Sequence, residues 1–157
     1  MREILFRGKG PETGTWYEGF YMALSETTYC FKEDYDEHPE NTEHYIVFDS
    51  MTDWGLPNKH LRADVEPSTV GQYTGLKDKN GNRIFEGDII QYYERLFDGK
   101  DSPVCDVVVY AEGGFAVKSY FLNNWLWDSV HGNIQLRDVE VIGNIHDNPE
   151  LLKGGGG

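Results

Sequence analysis

Val70-Gly-Gln-Tyr-Thr-Gly-Leu-Lys-Asp-Lys-Asn-Gly-Asn-Arg-Ile-Phe-Glu-Gly-Asp88 carries a complete β-hairpin instruction. Asn80-Gly81 is a pair that tolerates positive φ at both centres of a type I′ turn. Alternating residues precede it, and Arg83-Ile84-Phe85 follows. The stretch predicts a tight hairpin, with Gly71, Tyr73, Gly75, Asp78, Asn80, Gly81, Gly87 and Asp88 as its structural residues. Gly71, Gly75, Gly81 and Gly87 have the spacing of β turns, and no Gly-x-Gly-x-x-Gly or Walker-type phosphate loop occurs.

Outward from the hairpin the pattern stays strand-like. Short runs of β-branched and aromatic residues are separated by Gly, Asn, Asp and Pro. Expected strands are Glu3–Arg7, Trp16–Leu24, Thr28–Phe31, His44–Phe48, Val70–Thr74, Asn82–Phe85, Asp88–Tyr93, Asp106–Ala111, Phe115–Tyr120 and Val139–Ile145. A second hairpin is expected through Glu112-Gly113-Gly114. Helical character is confined to short turns around Asn123–Val130 and after Pro149. The expected class is all-β with two small subdomains, the second a barrel of SH3-like or OB-like type. Residues 1–64 form the first subdomain, with Ser50–Glu66 poor in strand signal and read as a linker. Residues 65–152 form the second, and residues 153–157 a flexible glycine tail.

The chain has 157 residues, 39% apolar and 14% aromatic, enough to build a core without disulfide or metal. It holds 27 acidic against 14 basic residues, a formal −13 at pH 7. Both halves are acidic, with 13 against 6 charges in residues 1–64 and 14 against 8 in residues 65–157. That balance opposes direct nucleic-acid binding and adsorption to an anionic membrane, because both depend on Lys and Arg meeting phosphates. Cys30 and Cys105 lie far apart outside any Cys-x-x-Cys pattern, as in a reducing compartment. No apolar run approaches the roughly 20 residues that span a bilayer, and the start lacks a signal-peptide core. The sequence therefore reads as cytoplasmic.

Candidate chemistry reduces to structure at each point. Asp78-Lys-Asn-Gly-Asn-Arg83 imitates the opening of a calcium loop, but Arg83 stands where Gly must turn and Ile89 where Glu must ligate. Glu86 and Asp88 would share a strand face across Gly87. Nothing apolar is placed by sequence to push their pKa values apart, so they read as a turn or bulge and not as an acid-base pair. His38, His44, His60, His131 and His146 form no metal-ligand spacing, although His38 and His44 lie among carboxylates. There is no nucleophile elbow, and neither cysteine has an activating context. No catalytic residue, cofactor or metal is expected.

Two features point toward partners. Glu33-Asp-Tyr-Asp-Glu-His-Pro-Glu-Asn-Thr-Glu43 places Glu33, Asp34, Asp36, Glu37, Glu40 and Glu43 in one stretch without a Lys or Arg, which reads as a solvated loop held open by like charges. Trp125 and Trp127, with Phe121, Leu122 and Leu126, form the densest apolar cluster. It suits core packing or a subunit interface. Strand edges offer a second route to self-association, and a homo-oligomer is expected.

Together with Met1-Arg-Glu-Ile-Leu-Phe-Arg-Gly8, Trp16-Tyr-Glu-Gly-Phe20, Asp64-Val-Glu-Pro-Ser-Thr-Val-Gly-Gln-Tyr-Thr-Gly75 and Asp138-Val-Glu-Val-Ile-Gly-Asn-Ile-His-Asp-Asn-Pro-Glu-Leu-Leu152, the hairpin resembles the YopX family of bacteriophage and prophage proteins. The resemblance implies a β-rich, phage-encoded protein of two subdomains that self-associates in the host cytoplasm, and it supplies no catalytic residues. Three functional readings follow. The first is a non-enzymatic accessory protein working through protein contacts. The second is an acidic mimic of DNA phosphates that engages a basic host or phage protein. The third, a nucleic-acid-binding barrel, is opposed by the charge.

Overall fold

The computed structural model describes residues 3–95, 99–111, 113–118, 123–125 and 138–152. Its strands are antiparallel and the class is all-β, as expected. The chain divides into two compact units, one of Ile4–Gly71 and one of Met1–Glu3 with Gln72–Gly157.

The Ile4–Gly71 unit is a four-stranded meander of β1 (Phe6–Lys9), β2 (Trp16–Ser25), β3 (Thr42–Met51) and β4 (Pro57–Asp64), in spatial order β4-β3-β2-β1. Gly14, at φ +65°, lets the chain reverse between β1 and β2. Its N–H donates to the Gly10 carbonyl at 3.0 Å. The β2–β3 ladder runs from Phe20 opposite Val47 to Ser25 opposite Thr42. The β3–β4 ladder runs from Tyr45 opposite Asp64 to Met51 opposite Pro57, with a bulge at Ser50/Met51. Gly19 is required by backbone packing, because a Cβ there would lie 2.1 Å from the Val47 carbonyl oxygen. Ile46, Tyr45 and Val65 are the buried apolar residues of this unit.

Three expectations do not hold in this unit. Ser50–Glu66 is not a linker, since it contains the end of β3 and the whole of β4. β4 escapes sequence reading because nearly all of Pro-Asn-Lys-His-Leu-Arg-Ala-Asp is exposed. Its conformation comes from the hydrogen-bond ladder with β3, with no apolar alternation to announce it. Thr28–Phe31 is not a strand, and the acidic stretch after it is not an open loop. It forms the helix α1 (Lys32–Glu37) and a 3₁₀ turn, Pro39–Asn41.

The second unit begins with the hairpin of β5 (Gly71–Lys77) and β6 (Arg83–Phe85). It continues through β7 (Asp88–Arg95), β8 (Asp101–Ala111), β9 (Gly114–Lys118), β10 (Asn123–Trp125) and β11 (Glu140–Asn144). The last five form one sheet in the order β10-β9-β8-β7-β11. Its core gathers Ile84, Ile90, Tyr92, Val108, Val117 and Val139. The β8–β9 hairpin turns where expected, with Ala111 opposite Gly114 and Gly113 at φ +86°; Glu112 lies outside the described residues. Of the helical turn expected around Asn123–Val130, Asn123–Trp125 is a strand and residues 126–130 lie outside the described residues, while Pro149–Leu152 is a 3₁₀ turn as foreseen. The expected SH3-like or OB-like barrel is not formed among the described residues. The sheet stays open, with β10 and β11 at its two ends and no pairing between them.

Candidate functional site

The Asp78-Lys79-Asn80-Gly81-Asn82 turn differs from the type I′ expectation. Gly81 N–H donates to the Asp78 carbonyl at 3.0 Å and Asp78 N–H to the Asn82 carbonyl at 2.9 Å. Lys79 and Asn80 therefore sit at the turn centre, with Gly81 following at φ +85°. This is a three-residue loop with a glycine bulge, a form Asn-Gly also permits.

The Asp78 carboxylate organises that loop. Oδ1 accepts from Asn80 N–H at 2.9 Å and Asn82 N–H at 2.8 Å, and Oδ2 from Asn82 Nδ2 at 3.1 Å and Val141 N–H at 3.1 Å. Burial by itself pushes this carboxyl up, but the hydrogen bonds from Val141, Asn82 and Asn80 outweigh it and hold the pKa below the ordinary value. Both oxygens are committed to the fold, which leaves no role as a ligand. Lys79 bridges to Glu140 beside it, and that contact raises the lysine. Asp88 likewise closes a turn: its Oδ2 accepts from Phe85 N–H at 2.7 Å, and Gly87 holds φ +82°. Tyr73 packs its ring on Phe85 at 5.5 Å. The signature residues from Gly71 to Asp88 thus meet as architecture.

The acidic residues lie in the connection between β2 and β3 of the first unit, on α1 and the turn after it. Glu33, Asp34, Asp36, Glu37, Glu40 and Glu43 are all exposed. Lys32 pairs with Asp36 one helical turn on. His38 Nδ1 meets Glu40 at 2.8 Å, and that hydrogen bond lowers the Glu40 pKa. Glu43 accepts from the Tyr45 hydroxyl. Tyr29 braces the segment, edge-on to Tyr35 at 5.7 Å and stacked on His38 at 6.4 Å. Glu33, Asp34 and Glu37 make no ion pair among the described residues and point their charge at solvent. An open groove of about 630 Å³ adjoins this segment, lined by Glu26, Glu40, Glu43, Arg62 and Asp64 among others. Arg62 covers the Tyr45 ring at 4.5 Å there and approaches Glu26 at 3.7 Å.

Trp127, with Phe121, Leu122 and Leu126, lies outside the described residues; for Trp125 the backbone alone is described, in β10 opposite Ala116. Sequence reading missed a different apolar group. Phe20, Met22 and Leu24 of β2 are 65%, 36% and 45% exposed. Alternate strand residues share a face, so the three form one row. The sequence signal was present, since Trp16–Leu24 is apolar at both parities and a single sheet of this size cannot bury both faces. Among the described residues no helix is long and apolar enough to cross a membrane, and no three His, Cys, Asp or Glu side chains converge to hold a metal ion.

A family model described as "YopX protein" matches residues 5–153. The chain is also similar to a solved structure, "Crystal structure of protein EF1440 from Enterococcus faecalis", at 27% identity, over 97% of this chain and 99% of that one, with a TM-score of 0.49. No curated protein matches.

Proposed function

This chain belongs to the YopX family, which is known from bacteriophages and prophages, and we propose that it is a non-enzymatic accessory protein that acts through protein–protein contacts in the host cytoplasm. The observation that carries the reading is the acidic segment itself: a like-charged stretch that electrostatics would spread into solvent is instead folded onto a helix and braced by Tyr29. Exposed carboxylates without an ion pair at Glu33, Asp34 and Glu37 favour a basic partner surface by steering its approach. Self-association belongs to the same reading. β4 pairs with β3 alone among the Ile4–Gly71 strands and leaves one backbone edge exposed for a second strand.

A second reading, mimicry of DNA phosphates toward a basic DNA-binding protein, rests on the same carboxylates and on the net −13. Direct nucleic-acid binding is the least supported of the three, because the charge opposes it. Capture from a phage-infected lysate separates the first two when the native chain is compared with one carrying Gln or Asn at Glu33, Asp34, Asp36, Glu37 and Glu40. Mimicry predicts that neutralisation abolishes capture at every salt concentration. Contact through shape with electrostatic steering predicts weaker but persistent capture of the same protein. Absence of any retained protein at low salt overturns both.

A further inference from the structure

Of the chain's asparagines, Asn80 alone precedes a glycine. A backbone nitrogen with no side chain beside it can reach the amide carbon of the asparagine before it and close a succinimide ring. The loop leaves room for that ring. Asn80 and Gly81 are both exposed, and nothing stands within 4 Å of the place a Gly81 Cβ would take. The Asn80 amide is loosely held, its Nδ2 reaching Glu140 Oε1 at 3.5 Å, the weak limit of a hydrogen bond. Other asparagines are held or blocked. Asn82 gives its amide to Asp78 at 3.1 Å and precedes Arg83, while Asn144 gives its amide to Asp147 at 2.9 Å and precedes Ile145. Asn41 donates to the Tyr29 hydroxyl and precedes Thr42, and Asn148 precedes Pro149, whose nitrogen has no hydrogen to lose.

One bond opposes the reaction. Gly81 N–H donates to the Asp78 carbonyl at 3.0 Å, so its nitrogen can attack only when the loop opens locally. The step balances with water alone. The Gly81 nitrogen gives its proton to hydroxide and bonds to Asn80 Cγ; the Cγ–Nδ2 bond breaks, and Nδ2 leaves as ammonia after taking a proton from water. Water then opens the succinimide, at Cγ to give aspartate or at the main-chain carbonyl carbon to give isoaspartate, and nothing is oxidised or reduced. Both products act on the loop that Asp78 organises. Aspartate sets a charge beside Glu140 where an amide donor stood, offset in part by Lys79 on the same carboxylate. Isoaspartate routes the main chain through Cγ, and the added methylene carries Gly81 and Asn82 N–H out of line with the Asp78 carbonyl and Oδ1. The same Asp78 side chain holds Val141 N–H. We infer that Asn80 is a spontaneous modification site, converted by the attack of its own backbone to aspartate and isoaspartate, and that the isoaspartate form loosens the hairpin's hold on β11.

The test incubates the full chain at mildly alkaline pH, folded and in parallel unfolded in urea, with peptide mapping by mass spectrometry and isoaspartate detection at intervals. Asn80 is expected to convert ahead of every other asparagine in the folded chain, and several-fold more slowly there than in urea, because the Gly81 N–H bond must first open. The isoaspartate fraction, separated by chromatography, should unfold at a lower urea midpoint than the fresh chain. Asn80→Asp should lower the midpoint by less, since it adds the charge without the methylene. Asn80→Gln, whose longer side chain closes its ring far more slowly, should keep its midpoint through the same incubation. Asn80 still intact in the folded chain when the urea sample has converted overturns the site, and so does earlier conversion of any other asparagine. An isoaspartate-bearing chain with the midpoint of the fresh chain overturns the loosening of β11. An equal loss of midpoint in Asn80→Gln also overturns it, by placing the damage elsewhere.

Discussion

Asp78 and Val141 stand 63 positions apart in the chain and are joined by a hydrogen bond of 3.1 Å, from Val141 N–H to Oδ2 of Asp78. The bond ties the first hairpin of its unit to β11. Lys79 N–H, donating to the Val139 carbonyl at 2.9 Å, makes a second tie beside it. The hairpin thus holds the closing strand as well as reversing the chain.

Asp78→Ala should destabilise the protein by roughly 2–4 kcal/mol, since it leaves Asn80, Asn82 and Val141 N–H groups without their acceptor in a buried place. Urea unfolding followed by tryptophan fluorescence measures it. An effect below about 0.5 kcal/mol would show that the carboxylate is incidental to the turn.

The same carboxyl sets a pH dependence. Its folded pKa is held below the unfolded value of about 3.9. The stability it contributes is therefore complete above that value and is lost as the pH falls through the folded pKa. Between pH 6 and pH 2.5 the urea midpoint of the native chain should drop more steeply than that of Asp78→Asn, whose amide does not titrate. Parallel curves would contradict the assignment.

Gly19→Ala should be among the most damaging single-methyl additions. The new Cβ would meet the Val47 carbonyl at 2.1 Å, and neither backbone can yield without opening the β2–β3 ladder. A loss of about 3 kcal/mol or more is expected, against roughly 1 kcal/mol for Gly81→Ala, where φ is +85° but the space is open. Thermal melts of the two variants give the comparison.

Self-association predicts a mass above that of one chain by light scattering at concentrations of roughly 10–100 µM, with the larger species favoured as concentration rises. A single-chain mass throughout that range contradicts it.

The legible parts of the fold were those where side-chain chemistry alone dictates local geometry. Asn80-Gly81, Gly87-Asp88 and Gly113-Gly114 announced their turns, and Trp16–Leu24 and Asp106–Ala111 their strands, because turn residues and β-branched or aromatic runs act within a few positions. β4 was illegible because its exposed residues are ordered by ladder bonds to β3 and leave no alternation in the sequence. The barrel expectation failed for a related reason: strand number and spacing say nothing about whether a sheet's ends meet. The acidic stretch was read correctly as charged and exposed but not as helical. The Tyr29 contacts that brace it link residues whose proximity appears only once the chain has folded. The Phe20, Met22 and Leu24 row was hidden inside a strand with apolar residues at both parities, which does not say which face is left exposed.

Parallel capture tests whether the acidic segment steers a protein partner. Native and carboxylate-neutralised chains are exposed to the same phage-infected lysate at about 50 mM and about 500 mM salt, with the retained proteins quantified. Steering by the acidic segment predicts one basic protein retained by the native chain at low salt, several-fold less of it at high salt, and a similar reduction at low salt when Glu33, Asp34, Asp36, Glu37 and Glu40 are neutralised. Retention that is indifferent to both salt and neutralisation would contradict steering by these carboxylates.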